Sequence, residues 1–461
     1  MIILGTNSIK DTGYNVDNSL RFNDGSSDYL SKTFGSAGNQ KTMTFSFWTK
    51  RSYIGSGFKA IFGCGTADGD EWIWSFRDDK LYLRWEMTNG TQGDLQTTQL
   101  FRNASAWYNI VFAIDTTQGT AENRFKWFVN GTQITNFSTA EYPSQNLDNK
   151  INGTVAQEIG RFPRISETYD GYISEFVFID GQALDPTSFG EFDEDSGIWK
   201  PIDVSGLTFG TNGFYLDFED SSALGNDAAG SNNFTVNNLT AIDQSTDTCT
   251  NNFCTMNPLY PDGTITFSEG NLKLTEGNSW RSAGGTMAVS TGKWFWEVSN
   301  VGNYAYIGFA DIQLFSEGCS IRESFTTGAA TTGRAHSVLN SDGRHYQVTS
   351  GGAQSSEYPS GATFPTFTNS IISIALNLDD NNFIFYKDGT AMNPSGTAIS
   401  ITAGTYIPAV SIYGNNVSYN FGSPPYSESG GNSDGNGYGN FSMAVPSGYF
   451  SLCTKNLSEY G

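Results

Sequence analysis

The feature that most restricts the fold of this chain is the alternation of apolar and polar residues over short segments. In residues 43–49 (MTFSFWT) the two kinds alternate, which is the period of a half-buried β-strand. The pattern returns at 108–114, 125–129 and 372–378. Gly, Asn, Ser and Thr interrupt every candidate helical segment, and these residues disfavour helix interiors. We therefore predict an all-β protein with only short helical turns in its loops, as near Pro186.

Turn residues divide the strand patterns into hairpins. Trp72, Trp74 and Phe76 share one face of a predicted strand, and the chain turns at Asp78-Asp79-Lys80 before alternation resumes at Leu81. A later aromatic strand ends at Asn130-Gly131. Asn-Gly accepts the positive φ angles of a tight hairpin turn, so the chain is predicted to reverse there.

A similar order of motifs occurs twice in the chain. Ile110–Asp115, a polar turn, an aromatic strand and Asn130-Gly131 are matched by 372–378, a polar turn, 383–386 and Asp388-Gly389. A chain of 461 residues is long enough for two or three domains. We predict two tandem antiparallel β-sandwich (jelly-roll-like) domains. The expected boundaries are an N-terminal arm at 1–19, a sandwich at 20–200, a connecting segment at 201–261 and a second sandwich at 262–461. The low-complexity tract 427–440 is expected to be a mobile loop.

The charge of the chain excludes several classes of partner. With 47 acidic and 25 basic residues the formal net charge is −22. Nucleic-acid binding and attachment to an anionic membrane surface both need a basic surface, so neither is predicted. The start of the chain lacks the features of a secretion signal, although its Asn, Ser, Thr, Gly and aromatic content is typical of exported proteins. A virion component that is released when the host cell lyses would explain why a chain with the composition of an exported protein lacks a secretion signal.

The five cysteines are scattered along the chain, and a chain of this size does not need a disulfide framework to build its core. Cys249 and Cys254 lie five positions apart, but no second pair completes a zinc site. Whether these two thiols pair with each other stays open.

The first half of the chain resembles the laminin-G-like, concanavalin-type lectin and glucanase sandwich. The resemblance covers about residues 18–200 and implies two facing antiparallel sheets. It is carried by the following segments: 20–23 (LRFN), 45–48 (FSFW), 107–110 (WYNI), 128–131 (FVNG) and 170–176 (DGYISEF).

The second half resembles a SPRY domain, also a β-sandwich, over about residues 262–455. Four motifs stand in the order of that family: 292–298 (GKWFWEV), 306–310 (YIGFA), 385–389 (FYKDG) and 406–410 (YIPAV), which continues to 420–422 (NFG). The tandem, with the intervening stretch 178–186, resembles virion structural proteins of tailed phages, especially marine ones. Such proteins are usually assigned as fibre or surface-decorating components.

Catalytic patterns are weak in this sequence. Glucanase relatives of the first fold use an E-x-D-x-x-E strand that aims two glutamates at one cleft. The nearest string, 191–196 (EFDEDS), ends in serine and is predicted to be a solvated acidic turn. His336 and His345 are the only imidazoles available as a general base, and both are expected to have surface or hydrogen-bonding roles. We therefore predict no enzymatic activity.

Calcium is the cofactor that the first resemblance brings into consideration, because laminin-G-like domains often hold Ca²⁺ at the rim of the sandwich. Loop carboxylates suit that cation, and Asp68, Asp70, Asp115 and Asp170 are candidates. None of them forms a spaced ligand loop, and aspartates in turns commonly bond local backbone amides. No cofactor is predicted, and an ordered Ca²⁺ in the first domain is the alternative.

Binding through loops at the ends of the sandwiches is the better interpretation, because such loops vary without unfolding the core. Exposed aromatic rings stack on sugars, and polar side chains bond their hydroxyls. For each aromatic candidate the competing interpretation is core packing. The candidates are Arg161, Arg164 and Tyr169 in the first domain, and Trp280, Tyr304 and Tyr413 in the second.

The sequence thus predicts a non-enzymatic phage virion protein, located on the particle, whose partners are neighbouring virion proteins or host-surface glycans. Association into a symmetric homo-oligomer is expected for a fibre. Two alternatives stay open. One is a tail-associated polysaccharide depolymerase, which would need a carboxylate pair in a groove. The other is a purely architectural capsid decoration protein.

Overall fold

The computed structural model of the chain describes residues 13–67, 70–87, 90–165, 167–261, 264–299, 301–302, 304–316, 334–339, 344–348, 354–355, 365–393, 396–428 and 430–461. Most of the predicted N-terminal arm, together with Asp68 and Cys319, lies outside the described residues. No helix in the described part of the chain is long and apolar enough to cross a membrane.

The chain divides into two compact units, which we call the first unit (Asp11–Thr250) and the second unit (Asn251–Gly461). Short 3₁₀ turns occur in the loops of the first unit at Ala121–Asn123, Pro186–Ser188 and Ala241–Asp243. The helical turn expected near Pro186 is therefore confirmed. The strands of the first unit are β1 (Ser19–Phe22), β2 (Tyr29–Lys32), β3 (Thr42–Arg51), β4 (Phe58–Ala67), β5 (Asp70–Arg77), β6 (Lys80–Glu86), β7 (Gln92–Thr97), β8 (Trp107–Asp115), β9 (Phe125–Val129), β10 (Thr132–Gln133), β11 (Phe137–Ala140), β12 (Gln157–Ile159), β13 (Arg161–Phe162), β14 (Glu167–Thr168), β15 (Gly171–Asp180), β16 (Gly190–Phe192), β17 (Trp199–Pro201), β18 (Phe214–Leu216), β19 (Thr235–Asn237) and β20 (Gln244–Ser245).

These strands form a sandwich of antiparallel sheets. Sheet A has the order β10-β9-β8-β3-β15-β1-β20, with β18 also paired to β15, and sheet B has the order β11-β7-β6-β5-β4-β12-β2-β19. Their inner faces meet in a core rich in aromatic rings, where Phe45 of sheet A lies 4.4 Å from Trp74 of sheet B between ring centroids. The predicted all-β sandwich is confirmed for this unit.

The predicted hairpins are present at the residues that the turn chemistry indicated. Asp78 and Asp79 have φ angles of 53° and 63° in the two-residue turn between β5 and β6. Asn130 and Gly131 have φ angles of 46° and 74° in the turn between β9 and β10. Such positive values give the type of turn whose twist matches the flanking strands.

The segment 201–250, predicted to connect the domains, belongs to the first unit. Its strands β18, β19 and β20 pair with β15, β2 and β1, and Phe214, Leu216 and Phe234 lie in the core. The same segment supplies Asp247, whose carboxylate accepts hydrogen bonds from Lys50 Nζ (2.7 Å) and Trp107 Nε1 (3.1 Å). Both members of the Lys50–Asp247 ion pair are buried, so this segment covers part of the outer face of sheet A.

The second unit is built from β-strands and two short helices in its described residues, α1 (Ile312–Ser316) and α2 (Thr454–Tyr460). Its strands are β21 (Met256–Pro261), β22 (Thr266–Ser268), β23 (Lys273–Glu276), β24 (Arg281–Gly285), β25 (Lys293–Ser299), β26 (Ala305–Asp311), β27 (Ala335–Leu339), β28 (Arg344–Val348), β29 (Gln354–Ser355), β30 (Ile372–Asn377), β31 (Asn382–Lys387), β32 (Thr390–Ala391), β33 (Ile399–Ser400), β34 (Tyr406–Ile412), β35 (Asn415–Asn420) and β36 (Phe450–Ser451).

These strands also form a sandwich. Sheet C has the order β21-β24-β34-β26-β27-β28-β29, and sheet D has the order β22-β23-β35-β25-β30-β31-β32, with β33 and β36 paired to β31 and β25. The predicted echo of the first half is confirmed, because Asp388 and Gly389 form a tight turn with φ angles of 47° and 78° between β31 and β32. The two-sheet fold that the second resemblance implied is present.

The tract 427–440 is not the loose loop that its composition indicated. Asp434 Oδ1 accepts hydrogen bonds from the backbone amides of Asn436 (2.9 Å) and Tyr438 (3.0 Å). Its Oδ2 accepts bonds from Ser451 N (2.9 Å) and Asn456 Nδ2 (2.8 Å). One buried carboxylate thus ties the tract to β36 and to α2, a long-range contact that composition does not reveal.

The two histidines are buried in the core of the second unit and not at its surface. His336 and His345 stack at 5.6 Å between ring centroids with an interplanar angle of 13°, and Phe383 packs against both. His336 is 2% exposed and His345 is 0% exposed. Of the two roles expected, surface or hydrogen-bonding, the surface role was wrong because β27 and β28 place these positions on the inner face of sheet C.

We predict that acid destabilises the second unit through His336. Burial, with the neighbouring His345 and Arg334, lowers the pKa of His336 well below its usual value, so the unfolded chain binds a proton that the folded chain rejects. The free energy of unfolding should fall by about 1.4 kcal/mol per pH unit below roughly pH 6.5 on account of this residue. The urea concentration at the unfolding midpoint of the second unit should therefore fall between pH 6.5 and 5. A His336→Phe variant should lose part of that dependence, and an unchanged slope would contradict the assignment.

Candidate functional site

Three of the predicted binding residues come together at one end of sheet C. Trp280 precedes β24, Tyr304 precedes β26, and Tyr413 follows β34, which lies between those two strands. Ring centroids are 5.7 Å apart for Trp280 and Tyr413, 6.1 Å for Tyr304 and Tyr413, and 6.5 Å for Trp280 and Tyr304. We call these three residues the aromatic surface.

The side chains of the aromatic surface are more exposed to solvent than side chains packed in a core. Tyr304 is 50% exposed and Tyr413 is 37% exposed, while Trp280 is half-buried. Large exposed aromatic rings are costly to hydrate, and grouped exposed apolar side chains mark interaction sites more often than isolated ones. The competing interpretation of core packing therefore fails for the two tyrosines and holds in part for Trp280.

The backbone fixes the two tyrosines relative to each other. Tyr413 N donates a hydrogen bond to Tyr304 O at 3.1 Å, which continues the pairing of β34 with β26 beyond the last paired residues. Tyr304 has a φ angle of 61°, an unusual conformation for a residue with a large side chain. Strain of this kind persists only where the surrounding structure enforces it, and it is concentrated at functional sites.

Glu276 holds the two loops that carry Trp280 and Tyr413. Its carboxylate, 9% exposed, accepts hydrogen bonds from Asn278 N (3.2 Å) and Ser279 N (2.9 Å) in the loop before Trp280. It also accepts one from Gly414 N (3.1 Å), next to Tyr413. Hydrogen bonds to a charged acceptor are stronger than neutral ones. One side chain therefore fixes the spacing of two loops that are far apart in sequence.

Two further aromatic rings extend the row from the aromatic surface along the outer face of sheet C. Tyr306 lies 5.3 Å from Trp280, and Tyr346 of β28 lies 5.1 Å from Tyr306. Tyr306 is buried and Tyr346 is half-buried. Sequence analysis missed both residues, although the period of a strand already places Tyr304 and Tyr306 on one side. Glu276 gave no signal, because its partners are backbone amides.

The two arginine candidates of the first unit neutralise carboxylates on the outer side of sheet B. Arg161 Nε lies 2.9 Å from Glu158 Oε2, and its guanidinium stacks 4.0 Å from the ring centroid of Tyr29. Arg164 forms an ion pair with the buried Glu71 and donates a hydrogen bond to it at 3.2 Å. These contacts give each arginine a structural role, and ligand binding by either stays a prediction.

Tyr169 was wrongly predicted as a binding residue. It is 0% exposed and packs against Phe22 and Phe76 in the core, and its hydroxyl is hydrogen-bonded to Thr49 Oγ1 at 2.5 Å. The residue stands in the chain between the β13–β14 hairpin and β15, but its ring points inward. Proximity in sequence to the two arginines therefore did not bring it to the surface.

The acidic string 191–196 is an exposed turn, as predicted. Its first two residues end β16, and the other four lie in the turn to β17, where Asp193 Oδ1 accepts hydrogen bonds from Ser196 N (2.9 Å) and Ser196 Oγ (2.7 Å). Of the calcium candidates, Asp115 bonds Thr117 and Gln118 in its own loop and Asp170 is buried. Among the described residues, no three His, Cys, Asp or Glu side chains gather closely enough to hold a metal ion. Cys249 and Cys254 are free thiols.

Glu175 is a buried acid in the first unit, at an irregularity in β15 where its φ angle is 52°. Tyr215 donates a hydrogen bond to its Oε2 at 2.7 Å, and Tyr14 Oη lies 3.5 Å from the same atom. Burial raises the pKa of Glu175 to about 8; Asp217 and Glu219 add to the shift, and the bond from Tyr215 opposes it. Sequence analysis did not single out this residue.

Residues 24–187 match the family model of the concanavalin A-like lectin/glucanases superfamily, which confirms the resemblance of the first half for those residues. No curated protein matches the sequence.

Solved structures with similar architecture share little sequence with the chain. Domains LG4-5 of the mouse laminin alpha1 chain are 10% identical, with 89% of this chain and 91% of that chain covered at a TM-score of 0.31. The SPRY domain of human HERC1 is 15% identical, with 36% and 96% covered at a TM-score of 0.27. A heptameric SAP-like pentraxin from Limulus polyphemus is 14% identical, with 49% and 94% covered at a TM-score of 0.28. None of these similarities is close enough to transfer a function.

We predict that Glu276→Ala loosens both loops of the aromatic surface. Losing a buried charged acceptor leaves backbone amides unpaired, which should lower the free energy of unfolding of the second unit by about 2 kcal/mol. Hydrogen–deuterium exchange should increase in peptides that cover 276–281 and 413–416. Glu122→Ala, at an exposed site in the first unit, is the control. Unchanged exchange in those peptides would contradict the role of Glu276.

We predict that Glu175 makes the first unit less stable as the pH rises. Its pKa is higher in the folded chain than in the unfolded chain, so only the unfolded chain ionises at this site between about pH 4.5 and 8. The contribution to the free energy of unfolding should fall by about 1.4 kcal/mol per pH unit in that window. Glu175→Gln, which keeps an acceptor for Tyr215, should remove this slope in urea titrations of the first unit. Identical slopes for both proteins would refute the prediction.

Proposed function

We propose that this protein is a non-enzymatic binding protein whose aromatic surface in the second unit takes host-surface glycans. The observation that carries the proposal is the convergence of Trp280, Tyr304 and Tyr413 from three adjacent strands onto one exposed site. A site built on strand ends and held by Glu276 is preorganised, so little conformational entropy is lost when a ligand binds.

The chemistry around the rings favours a glycan. Rings of Tyr and Trp offer rigid apolar faces with a polar edge, which suits the apolar face and the hydroxyl rim of a sugar. Two exposed amides, Asn278 in the loop before Trp280 and Asn416 at the start of β35, supply donors and acceptors for hydroxyl groups. The net charge of −22 disfavours strongly anionic polysaccharides.

The setting that we propose is the exterior of a tailed-phage particle, where the chain would serve as a fibre or decoration component and associate as a homo-oligomer with other virion proteins. Support comes from the composition and from the order of the two resemblances. Imaging of the assembled particle, with this chain located in the density, tests the setting. A particle that lacks the chain would overturn it.

Glycan binding is tested with the purified full chain on an array of bacterial surface polysaccharides and oligosaccharides. Tyr304→Ala and Tyr413→Ala should each weaken binding by about two- to twelve-fold, because one stacked ring contributes about 0.5–1.5 kcal/mol. Phe192→Ala removes an aromatic ring that is 52% exposed in the first unit, and it should leave binding unchanged. Equal binding by both tyrosine variants and the wild-type chain would reject the site.

The same polysaccharides distinguish binding from hydrolysis. A binding protein leaves the reducing ends of the bound polysaccharide constant over hours of incubation. Release of reducing sugars would favour the depolymerase alternative instead. Absence of any glycan ligand, with a folded chain in large homotypic contacts, would favour the architectural one.

A further inference from the structure

A primary amine and a carboxyl group meet in the interior of the first unit, on the outer face of sheet A. Lys50 belongs to β3 and Asp247 follows β20, and their side chains are 1% and 2% exposed. The distance from Lys50 Nζ to Asp247 Oδ2 is 2.7 Å. The two groups therefore lie in contact with almost no access to solvent.

The backbone and the side chain of Asp247 are both held by hydrogen bonds. Its amide donates to Ser245 Oγ at 3.1 Å, and its carbonyl accepts from Ser19 Oγ at 2.7 Å. Its Oδ1 accepts from Trp107 Nε1 at 3.1 Å, while Oδ2 faces Lys50. Lys50 is held by strand pairing, because it lies opposite Trp107 of β8. Two groups fixed in contact can react without first losing the freedom of separate molecules.

Aromatic side chains surround the pair. Trp48, Trp107, Tyr172 and Trp199 form one buried cluster on this face of the sheet, and Lys50 Nζ lies 5.6 Å from the ring centroid of Tyr172. Charges in such an apolar site lose hydration that their mutual attraction replaces only in part. A proton that passes from Nζ to Oδ2 along their hydrogen bond leaves an uncharged amine beside an uncharged acid, and an uncharged amine is a nucleophile.

We propose that Lys50 and Asp247 condense to an intramolecular amide, which is a covalent cross-link between β3 and the segment that follows β20. Nζ attacks Cγ and forms the C–N bond, and the bond from Cγ to Oδ2 breaks. Oδ2 leaves as water with two protons taken from the ammonium group, and the remaining proton stays on the amide nitrogen. Oδ1 becomes the amide oxygen, and the N–H of Trp107 stabilises the negative charge that develops on it during the attack. The reaction needs no oxidant and no further reactant.

The cross-link joins two positions that are far apart in the chain. It closes a covalent loop from Lys50 to Asp247 that contains most strands of the first unit. Like a disulfide, such a loop restricts the unfolded chain and so stabilises the fold. The competing interpretation is a permanent ion pair, which the test below distinguishes. The cross-link is independent of glycan binding by the second unit, so neither proposal depends on the other.

The test is mass spectrometry of the purified, denatured full chain. Its mass should be lower than the mass calculated from the sequence by one water molecule. After proteolysis, the peptide that contains Lys50 should be joined to the peptide that contains Asp247, and fragmentation should locate the bond on these two side chains. The joined peptides distinguish the amide from dehydration of an aspartate onto its own backbone. A chain with the calculated mass, or a loss of water located elsewhere, would overturn the proposal.

Variants connect the loss of water to the residues. Lys50→Arg keeps a cation but cannot form this amide, so its mass should equal that calculated from its sequence. Lys59→Arg is the matched control, because Lys59 pairs with Asp24 closer to the surface, and it should lose water like the wild-type chain. Trp107→Phe keeps a ring without the N–H donor and should slow cross-linking by about 100-fold. Loss of water in Lys50→Arg would contradict the assignment. If Lys50→Arg does not fold, the joined peptides of the wild-type chain decide the question.

Discussion

The buried ion pair between Lys50 and Asp247 shows the constraint that shapes the first unit. The central strands are buried on both faces, and β3 has a buried side chain at nearly every position. The outer face of sheet A therefore needs a cover, and Lys50 on that face would be an uncompensated buried charge without Asp247. Removing one partner of such a pair typically costs 3–5 kcal/mol. The segment 201–250 is therefore needed to keep the outer face of sheet A stable, because it supplies the partner of Lys50.

The second unit meets the same requirement with a different group. Glu297 is 0% exposed on the outer face of sheet D, and its carboxylate accepts hydrogen bonds from Asn420 Nδ2 (3.1 Å), Ser442 N (3.0 Å) and Met443 N (2.8 Å). In both units a buried charged residue on the outer face of a sheet marks where an irregular segment lies on that sheet. The aromatic surface lies at one end of sheet C.

Local chemistry made much of the fold predictable. Alternating strands, the Asn130-Gly131 turn and the short helical turn at Pro186 all follow from neighbouring residues, and all are present. Tyr169 and His336 could not be placed, because strand alternation does not say which face meets the opposite sheet near a strand end. The role of 201–250 was also hidden, since its few apolar residues reach the core only through pairing with distant strands. The candidate site was predictable in its rings but not in Glu276, whose bonds join loops more than 130 residues apart.

The origin of the aromatic surface in neighbouring strands has a consequence for how binding preference can change. Adjacent strands are about 4.8 Å apart, so the lateral intervals between Trp280, Tyr413 and Tyr304 are imposed by main-chain pairing and not by side-chain choice. Substitutions at these three positions alter which chemical group is presented, while the intervals persist. Related chains with other residues at the same strand ends would then bind different molecules. The contact points on those molecules would still be separated by the spacing of the strands.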